Sequence, residues 1–295
     1  MLLKQSARGI VGEMDLFRLI TTMVTITAGT VFLMWIGELI SEKKIGNGIS
    51  LLIFAGIVSA LPGKVQQMLV TFDSSQLVQM ILFVAVAIAT IIGVVFVTEG
   101  QRNIQVSYAR QVRGNRVFGG QTTHLPLRVN MAGVIPIIFA ISIILFPSMV
   151  AQFFMRARTP WIADAAQWTI TLFNNQIFYG VLYFILVVAF TFFYTAVIFH
   201  PQKIAENLQK QGGFIPGIRP GRLTAEYLQY TINRILLAGA LFLGLIAVLP
   251  LTMSGVTGTS SLVVGGTSLL IVVSVVIETI RQIESQLTMR EYEGF

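Results

Sequence analysis

Arginine and lysine are the side chains whose spacing most clearly indicates chemistry in this sequence. The stretch 100–128 has no acidic residue and contains Arg102, Arg110, Arg113, Arg116 and Arg128. A second stretch, free of acids between Glu206 and Glu226, contains Lys210, Arg219 and Arg222. Basic segments of this kind suit anionic surfaces such as RNA phosphate or an acidic protein partner. For any one of these cations, the alternative is that it only keeps its loop on one side of a membrane.

Residues that could carry out catalysis are sparse. The chain has no cysteine, which excludes disulfides, thiolate metal sites and a cysteine nucleophile. Its two histidines, His124 and His200, fall in loops or at a helix end, and no phosphate-binding loop, metal pair or nucleophile–base arrangement stands out. We therefore predict no catalytic residue, no metal and no cofactor.

The elements that must position the basic stretches are membrane helices. The 295 residues are 55% hydrophobic and 11% charged, with a mean hydropathy of +0.78, which is outside the range of soluble domains. This predicts an all-α polytopic membrane protein with seven spans, at 16–40, 49–61, 77–97, 129–154, 177–198, 236–251 and 262–277. No ionisable side chain lies deep within a span, which counts against ion-coupled transport. A secondary transporter for a small solute and an intramembrane enzyme stay as alternatives.

Two prolines mark the unusual spans. Pro136 falls a third of the way along 129–154, so we expect that span to bend and to be able to hinge there. The second span is short, and Pro62 with Gly63 is expected to stop it, although 65–70 could extend it beyond the break. The predicted organisation is therefore 1–61 with two spans, an external loop at 62–76, and 77–295 with five spans.

The distribution of Lys and Arg orients the chain. With seven alternating spans, one side holds 14 of the basic residues and the other side holds 6. Because basic residues accumulate in the cytoplasm, the loops 98–128 and 199–235 and the C-terminal tail are predicted to be cytoplasmic.

These two loops have local patterns of their own. Ile104, Val106 and Tyr108 alternate with polar residues ahead of a Gly114-Asn115 turn signal, which predicts a projecting β-hairpin. In the second loop, 201–211 predicts a short amphipathic helix, and the glycines and prolines of 212–222 predict an irregular, presented segment.

A weak internal repeat links two spans. The segment Gly48–Ile53 resembles Gly266–Ile271, and each is expected near a helix start, as in membrane channels and transporters built from repeats. The candidate buried polar residues, for which hydrogen bonding between helices is the simplest role, are Thr25, Thr27, Ser50, Asn130 and Ser142.

Five longer motifs occur in order along the chain: GELISEKKIGNGISLLIFAGI at 37–57, TEGQRNIQVSYARQVRGNRV at 98–117, THLPLRVNMAGVIPIIFA at 123–140, GGFIPGIRPG at 212–221 and GGTSLLIVV at 265–273. Together they resemble the SecY family, whose members form the central subunit of the bacterial protein-translocation channel. The resemblance implies a ten-helix channel of two inverted halves that opens across the membrane and sideways to lipid. The seven spans would correspond to helices four to ten, so the first three helices, with the plug and half of the lateral gate, have no counterpart here.

The resemblance also implies roles for particular residues. It implies a pore ring that includes Ile49, Ile53, Ile138 and Ile271, of which Ile49 and Ile53 are one turn apart on one helix face. It implies a lateral gate that includes Asn130, Pro136 and Ser142. Docking of a ribosome or of a SecA-like motor ATPase would use the basic loops, through Arg102, Arg110, Arg113, Arg116, Lys210, Arg219 and Arg222.

The implied function is conduction of unfolded secretory polypeptides, and of membrane segments sideways, without chemistry of the chain's own. The implied partners in the bilayer are SecE-like and SecG-like small subunits, and the implied location is the bacterial inner membrane.

Overall fold

The computed structural model describes residues 15–70, 77–108, 111–113, 116–118, 122–155, 159–257 and 266–293. The helices in these ranges are α1 (Leu16–Glu42), α2 (Gly48–Val70), α3 (Leu77–Glu99), α4 (Ile135–Phe154), α5 (Pro160–Asn174), α6 (Gln176–Ile198), α7 (Pro201–Lys210), α8 (Arg222–Thr257) and α9 (Gly266–Glu293). The strands are β1 (Gln101–Tyr108), β2 (Gln111–Arg113), β3 (Arg116–Phe118), β4 (Thr122–Arg128) and β5 (Gly213–Phe214).

Polar side chains and prolines define several helix starts. The Asp15 carboxylate accepts a hydrogen bond from the Leu16 N–H at 2.8 Å. The Asn175 side-chain oxygen accepts from the N–H groups of Ile177 and Phe178 at 3.0 and 3.3 Å, which caps α6. Three further helices, α4, α5 and α7, have proline in their first turn, where the missing N–H costs no helical hydrogen bond.

Four segments in the described part of the chain are long and apolar enough to cross a membrane: Leu16–Glu42, Ile135–Phe154, Gln176–Lys210 and Arg222–Leu249. Two shorter apolar helical stretches, Gly48–Gly63 and Val84–Glu99, fall within α2 and α3. The helical membrane class is therefore confirmed, and the count of seven spans stays a prediction.

The chain divides into two compact units. The first contains α1, α2 and α9 from Val275 onward, and the second is Thr71–Ser274. In the first unit α1 packs against α2, and the side-chain amide of Gln286 donates a hydrogen bond to the Lys44 carbonyl oxygen. In the second unit α6 packs between α4 and α8, while α5 contacts α4 and α6.

Glycines let helices of the second unit approach closely. A Cβ on Gly244 of α8 would lie 2.8 Å from the Phe184 ring of α6. A Cβ on Gly239 would lie 2.7 Å from the Val129 carbonyl oxygen, so α8 also supports the segment that leads into α4. Neither contact leaves room for a larger residue without movement of its neighbour.

The predicted bend at Pro136 is wrong. Helix α4 begins at Ile135, so Pro136 lies in its first turn, and the proline inside the helix is Pro147. The preceding segment, predicted as part of the span, is not helical: the Val129 N–H donates to the Gly100 carbonyl oxygen at 2.8 Å, and Gly133 has a φ of +61°.

Other boundaries also differ from expectation. Helix α2 continues through Pro62 to Val70, so the predicted stop at Pro62 is wrong and the extension over 65–70 is confirmed. Helix α5 occupies most of the stretch between the predicted spans 129–154 and 177–198. Helix α8 begins at Arg222, 14 residues before the predicted span, and α9 continues to Glu293. The ends of these helices are polar, so the apolar runs in the sequence do not extend to the true helix boundaries.

Candidate functional site

The two ends of the first basic stretch and the second basic stretch meet in one folded layer of the second unit. Strand β1 pairs antiparallel with β4 and with β5, in the order β4-β1-β5. Helix α7 packs on β5 and on α8. We call this layer the sheet module; it comprises 101–108, 122–128 and 201–235.

The β1–β4 register separates an apolar face from a polar face. Ile104 is opposite Leu125, and both lie with Val106 on the side that faces the helices. Gln105 is opposite His124, and both are exposed. The alternating residues predicted to form a strand do form β1. The partner of β1 is β4, and this pairing was not predicted.

A small apolar core holds the module together. Its members come from the sheet, from the segment after β5 and from α8, and they are Ile104, Val106, Leu127, Ile215, Leu228 and Ile232. Ile204 and Leu208 of α7 pack against it, which confirms the predicted amphipathic helix. Because each of these elements contributes to one core, strands β1 and β4 of the first basic stretch and the segment 201–235 are positioned together.

The segment between α7 and α8 is ordered by turns and by one strand pair. Gly213 and Phe214 pair with Tyr108 and Ser107, which corrects the expectation that this segment has no regular structure. The Ile218 N–H donates to the Ile215 carbonyl oxygen at 3.0 Å, and Gly217 between them has a φ of +83°, a conformation that favours glycine. The segment is therefore presented in a defined conformation.

Arg219 lies at the outer edge of this segment, with its side chain exposed. Its carbonyl oxygen accepts a hydrogen bond from the buried Thr224 hydroxyl at 3.0 Å. Gly221, with a φ of +100°, then turns the chain into α8. The backbone of Arg219 is thus fixed, while its guanidinium extends into solvent.

The other predicted docking cations differ in their surroundings. Arg102 and Lys210 are exposed. Arg222 is exposed but forms an ion pair with Glu226 at 3.1 Å, so its charge is partly compensated. Arg113 and Arg116 are register partners in the β2–β3 pair, and Arg110 lies outside the described residues.

The four predicted pore-ring isoleucines lie on three helices in two units. Ile49 and Ile53 lie in the first two turns of α2, and Ile49 is 55% exposed. Ile138 is half-buried in the first turn of α4, and Ile271 in α9 is 8% exposed. Gly48 and Gly266 each begin a helix, as the repeat predicts. The ring itself stays a prediction.

The predicted lateral-gate residues have contrasting environments. Asn130 is buried in the turn before α4, and its side-chain oxygen has no hydrogen-bond partner within the described residues. Pro136 is buried in the first turn of α4. Ser142 is exposed and donates to the Ile138 carbonyl oxygen of its own helix at 2.8 Å, so its expected bond between helices is wrong.

Two further hydroxyls predicted to be buried behave like Ser142. Thr25 and Thr27 are exposed on α1, and each donates to the carbonyl oxygen four residues earlier. Ser50, in contrast, is buried as predicted. Within the described ranges, no cluster of three or more His, Asp or Glu side chains could hold a metal ion.

Sequence reasoning missed one pair on α8. The guanidinium of Arg234 lies over the Tyr230 ring, 4.5 Å from its centroid. The two residues are four apart and precede a long apolar run, and this spacing on a helix could have indicated the pair.

Comparison with known proteins identifies the architecture. The SecY family model matches residues 1–280. The chain belongs to the SecY family. The protein translocase subunit SecY of Mycobacterium tuberculosis (strain ATCC 25618 / H37Rv) is 43% identical over 100% of this chain and 67% of its own length. SecY of Streptomyces galbus is 45% identical over 97% of this chain and 65% of its own length. SecY of Vibrio cholerae is 46% identical over 97% of this chain and 64% of its own length.

Solved structures give the same fold. A structure described as a protein conducting channel has a TM-score of 0.61 at 18% identity, and covers 94% of this chain and 68% of its own. A structure of SecY concerned with its plug domain has a TM-score of 0.60 at 18% identity, over 94% of this chain and 69% of that one. The chain spans about two thirds of the length of these SecY relatives.

Proposed function

We propose that the chain is the pore-forming part of a protein translocase that conducts unfolded polypeptides across the membrane and releases membrane segments sideways into it. The observation that carries this proposal is the match to the SecY family over residues 1–280, with relatives at 43% to 46% identity that are named as translocase subunits. The comparisons give no support to a small-solute transporter.

The proposed orientation places the sheet module in the cytoplasm. The 14 to 6 division of basic residues supports it, since the module contains most of the basic residues of loops 98–128 and 199–235. Seven spans, a cytoplasmic C-terminus and the bacterial inner membrane belong to the same proposal.

The module is proposed to dock the machinery that supplies the polypeptide. Arg219 has a fixed backbone and an exposed guanidinium, which suits an acidic protein surface or RNA phosphate. A SecA-like motor ATPase and a ribosome are the proposed partners here. SecE-like and SecG-like subunits are proposed as partners in the bilayer.

The pore is proposed to be closed by Ile49, Ile53, Ile138 and Ile271. A collar of branched aliphatic side chains repels water and raises the barrier to a hydrated ion, yet it can move aside for a chain. Asn130, Pro136 and Ser142 are proposed to line the lateral gate. The buried side-chain oxygen of Asn130, which has no hydrogen-bond partner among the described residues, supports this placement, because a polar contact broken or made there changes the free energy of gate opening.

The experiment is reconstitution of the chain in a complete channel, with the rest of the SecY length and the motor ATPase supplied. We expect a signal-bearing precursor to become protected from added protease inside vesicles, in the presence of ATP and only when this chain is included. Protection that does not depend on the chain would contradict the proposed function.

A further inference from the structure

The outward face of α8 carries a narrow stripe of exposed side chains with a polar end and an apolar end. Its members are Tyr230, Arg234, Leu237, Leu241 and Leu245, and we call it the α8 stripe. At 100° per residue they fall within about 80° of the helix circumference. Tyr230 and the three leucines are 45% to 61% exposed. The stripe is therefore a continuous surface along the helix.

The opposite face of α8 explains why the stripe points outward. Leu228, Ile232, Leu236 and Leu243 are buried, the first two in the core of the sheet module. Their side chains point roughly 170° away from the stripe. Packing thus fixes the rotation of α8, and the stripe is held on the outside by the same contacts that form the fold.

The position of Arg234 marks the membrane boundary of this helix. It is the last charged residue before an uncharged stretch that continues to Glu278. Arginine and tyrosine at such a boundary lie at the level of the lipid headgroups. From Arg234 to Leu245 the helix rises about 16 Å, close to half of a ~30 Å hydrocarbon core. The stripe therefore has the length of one leaflet.

The geometry of the polar end suits a phosphate. The guanidinium carbon of Arg234 lies over the Tyr230 ring, 4.5 Å from its centroid, so the ring attracts the cation and the guanidinium brings several N–H donors to an acceptor. Glu226, the nearest acid toward the helix start, is ion-paired with Arg222. A positively charged group at headgroup level is complementary to an anionic lipid.

We propose that the α8 stripe is a binding site for an anionic phospholipid. The lipid phosphate is bound by Arg234, and one acyl chain lies along Leu237, Leu241 and Leu245. A soluble nucleic acid or acidic protein would match the charge but would leave the leucines uncovered. This site is independent of polypeptide conduction and would exist whichever leaflet faces the sheet module.

Tryptophan quenching by brominated lipids tests the proposal at the stripe itself. The three native tryptophans, Trp35, Trp161 and Trp168, are changed to Phe, and Leu241→Trp supplies the only reporter. The matched control replaces exposed Phe193 of α6 instead, as Phe193→Trp. Each protein is placed in vesicles of phosphatidylcholine with increasing fractions of brominated phosphatidylglycerol or brominated phosphatidylcholine.

At Leu241→Trp we expect phosphatidylglycerol to be preferred over phosphatidylcholine about fivefold, which is the effect of one cation near a bilayer surface. At Phe193→Trp we expect no preference between the two lipids. Adding Arg234→Gln should abolish the preference. Quenching by brominated phosphatidylcholine should persist, which would show that the helix is still in the bilayer. Tyr230→Leu should lower the preference, whereas Tyr230→Phe should retain it. Sodium phosphate should leave it unchanged.

Four results would overturn the proposal. They are an equal preference at both reporters, a preference that survives Arg234→Gln, loss of the preference to free phosphate, and a Leu241→Trp reporter that no brominated lipid quenches. The last result would mean that a protein surface covers the stripe.

Discussion

Gly37 and Gly48 bring the backbones of α1 and α2 into direct contact. A Cβ on Gly48 would overlap the Gly37 carbonyl oxygen and lie 2.6 Å from the Gly37 carbonyl carbon. The Ser41 hydroxyl joins the same two residues, since it accepts from the Gly48 N–H at 2.9 Å and donates to the Gly37 carbonyl oxygen at 3.0 Å. This contact fixes the helix start that carries Ile49 and Ile53.

The change Gly48→Ala should therefore destabilise the first unit. The added methyl group meets backbone rather than a movable side chain, so we expect a cost of about 1–3 kcal/mol and a lower Tm in detergent. Gly56→Ala on the same helix is the matched control, because a Cβ there would have no neighbour within 4 Å in the part of the chain that the structure describes. It should be neutral or slightly stabilising. Equal Tm values for the two variants would show that the contact between Gly37 and Gly48 has room for a methyl group.

Arg219 and Arg222 should differ in their effect on motor or ribosome binding. Arg219→Gln should weaken binding more than Arg222→Gln, because Arg222 is already paired with Glu226. Arg219→Glu should weaken it further through charge reversal, and the loss should shrink as salt screens the charges. Binding curves at two salt concentrations measure this. Lys203→Gln, an exposed change on α7, is the control. Equal losses for all three glutamine variants would mean that only net charge matters.

Membrane orientation can be tested by labelling single cysteines in this cysteine-free chain. Gln105 on the outer face of β1 and Gln211 after α7 are exposed, as is Asp164 on α5. Cysteines at 105 and 211 should react with an impermeant reagent only from the cytoplasmic side, and a cysteine at 164 only from outside. Gly213 is a poor site, since its Cβ would lie 3.1 Å from the Tyr108 ring. The reverse pattern would contradict the proposed orientation.

Polar substitutions in the proposed collar should make the closed channel leak ions. We expect Ile138→Asn and Ile271→Asn, each in the complete channel, to raise ion conductance and to relax discrimination among signal sequences, because a wetted constriction costs less to open. Ile143→Asn is the control on α4, since Ile143 is exposed and about 140° around the helix from Ile138. Conductance and selectivity at the parent level in the Ile138 and Ile271 double variant would exclude these residues as the constriction.

Much of this architecture follows from local sequence. Long apolar runs predict the membrane class. The motif at 212–221 indicates the family because it has glycines where the backbone needs a positive φ, which few other residues adopt. Gly217 and Gly221 both have positive φ, and the turns they form present Arg219. The short amphipathic α7 was likewise predictable from its spacing.

The errors arose where long-range contacts decide the structure. The sequence predicts a break at Pro62 and a bend at Pro136, but the first proline lies within α2 and the second lies in the first turn of α4. Whether a proline lies within a helix or in its first turn depends on where neighbouring elements allow the helix to begin. The pairing of β1 with β4 and β5 depends on contacts distant in sequence, so no local period predicts it.

The central claim, that this chain lines the path of a translocating polypeptide, is tested most directly by site-specific photocrosslinking. A benzophenone side chain is placed at Ile138 or, as the control, at Ile143 of the same helix, and a signal-bearing precursor is stalled partway through the complete channel. We predict crosslinks to the mature part of the precursor from position 138 and none from position 143. Crosslinks from 143 but not from 138, or from neither while the precursor is stalled in the membrane, would contradict the account.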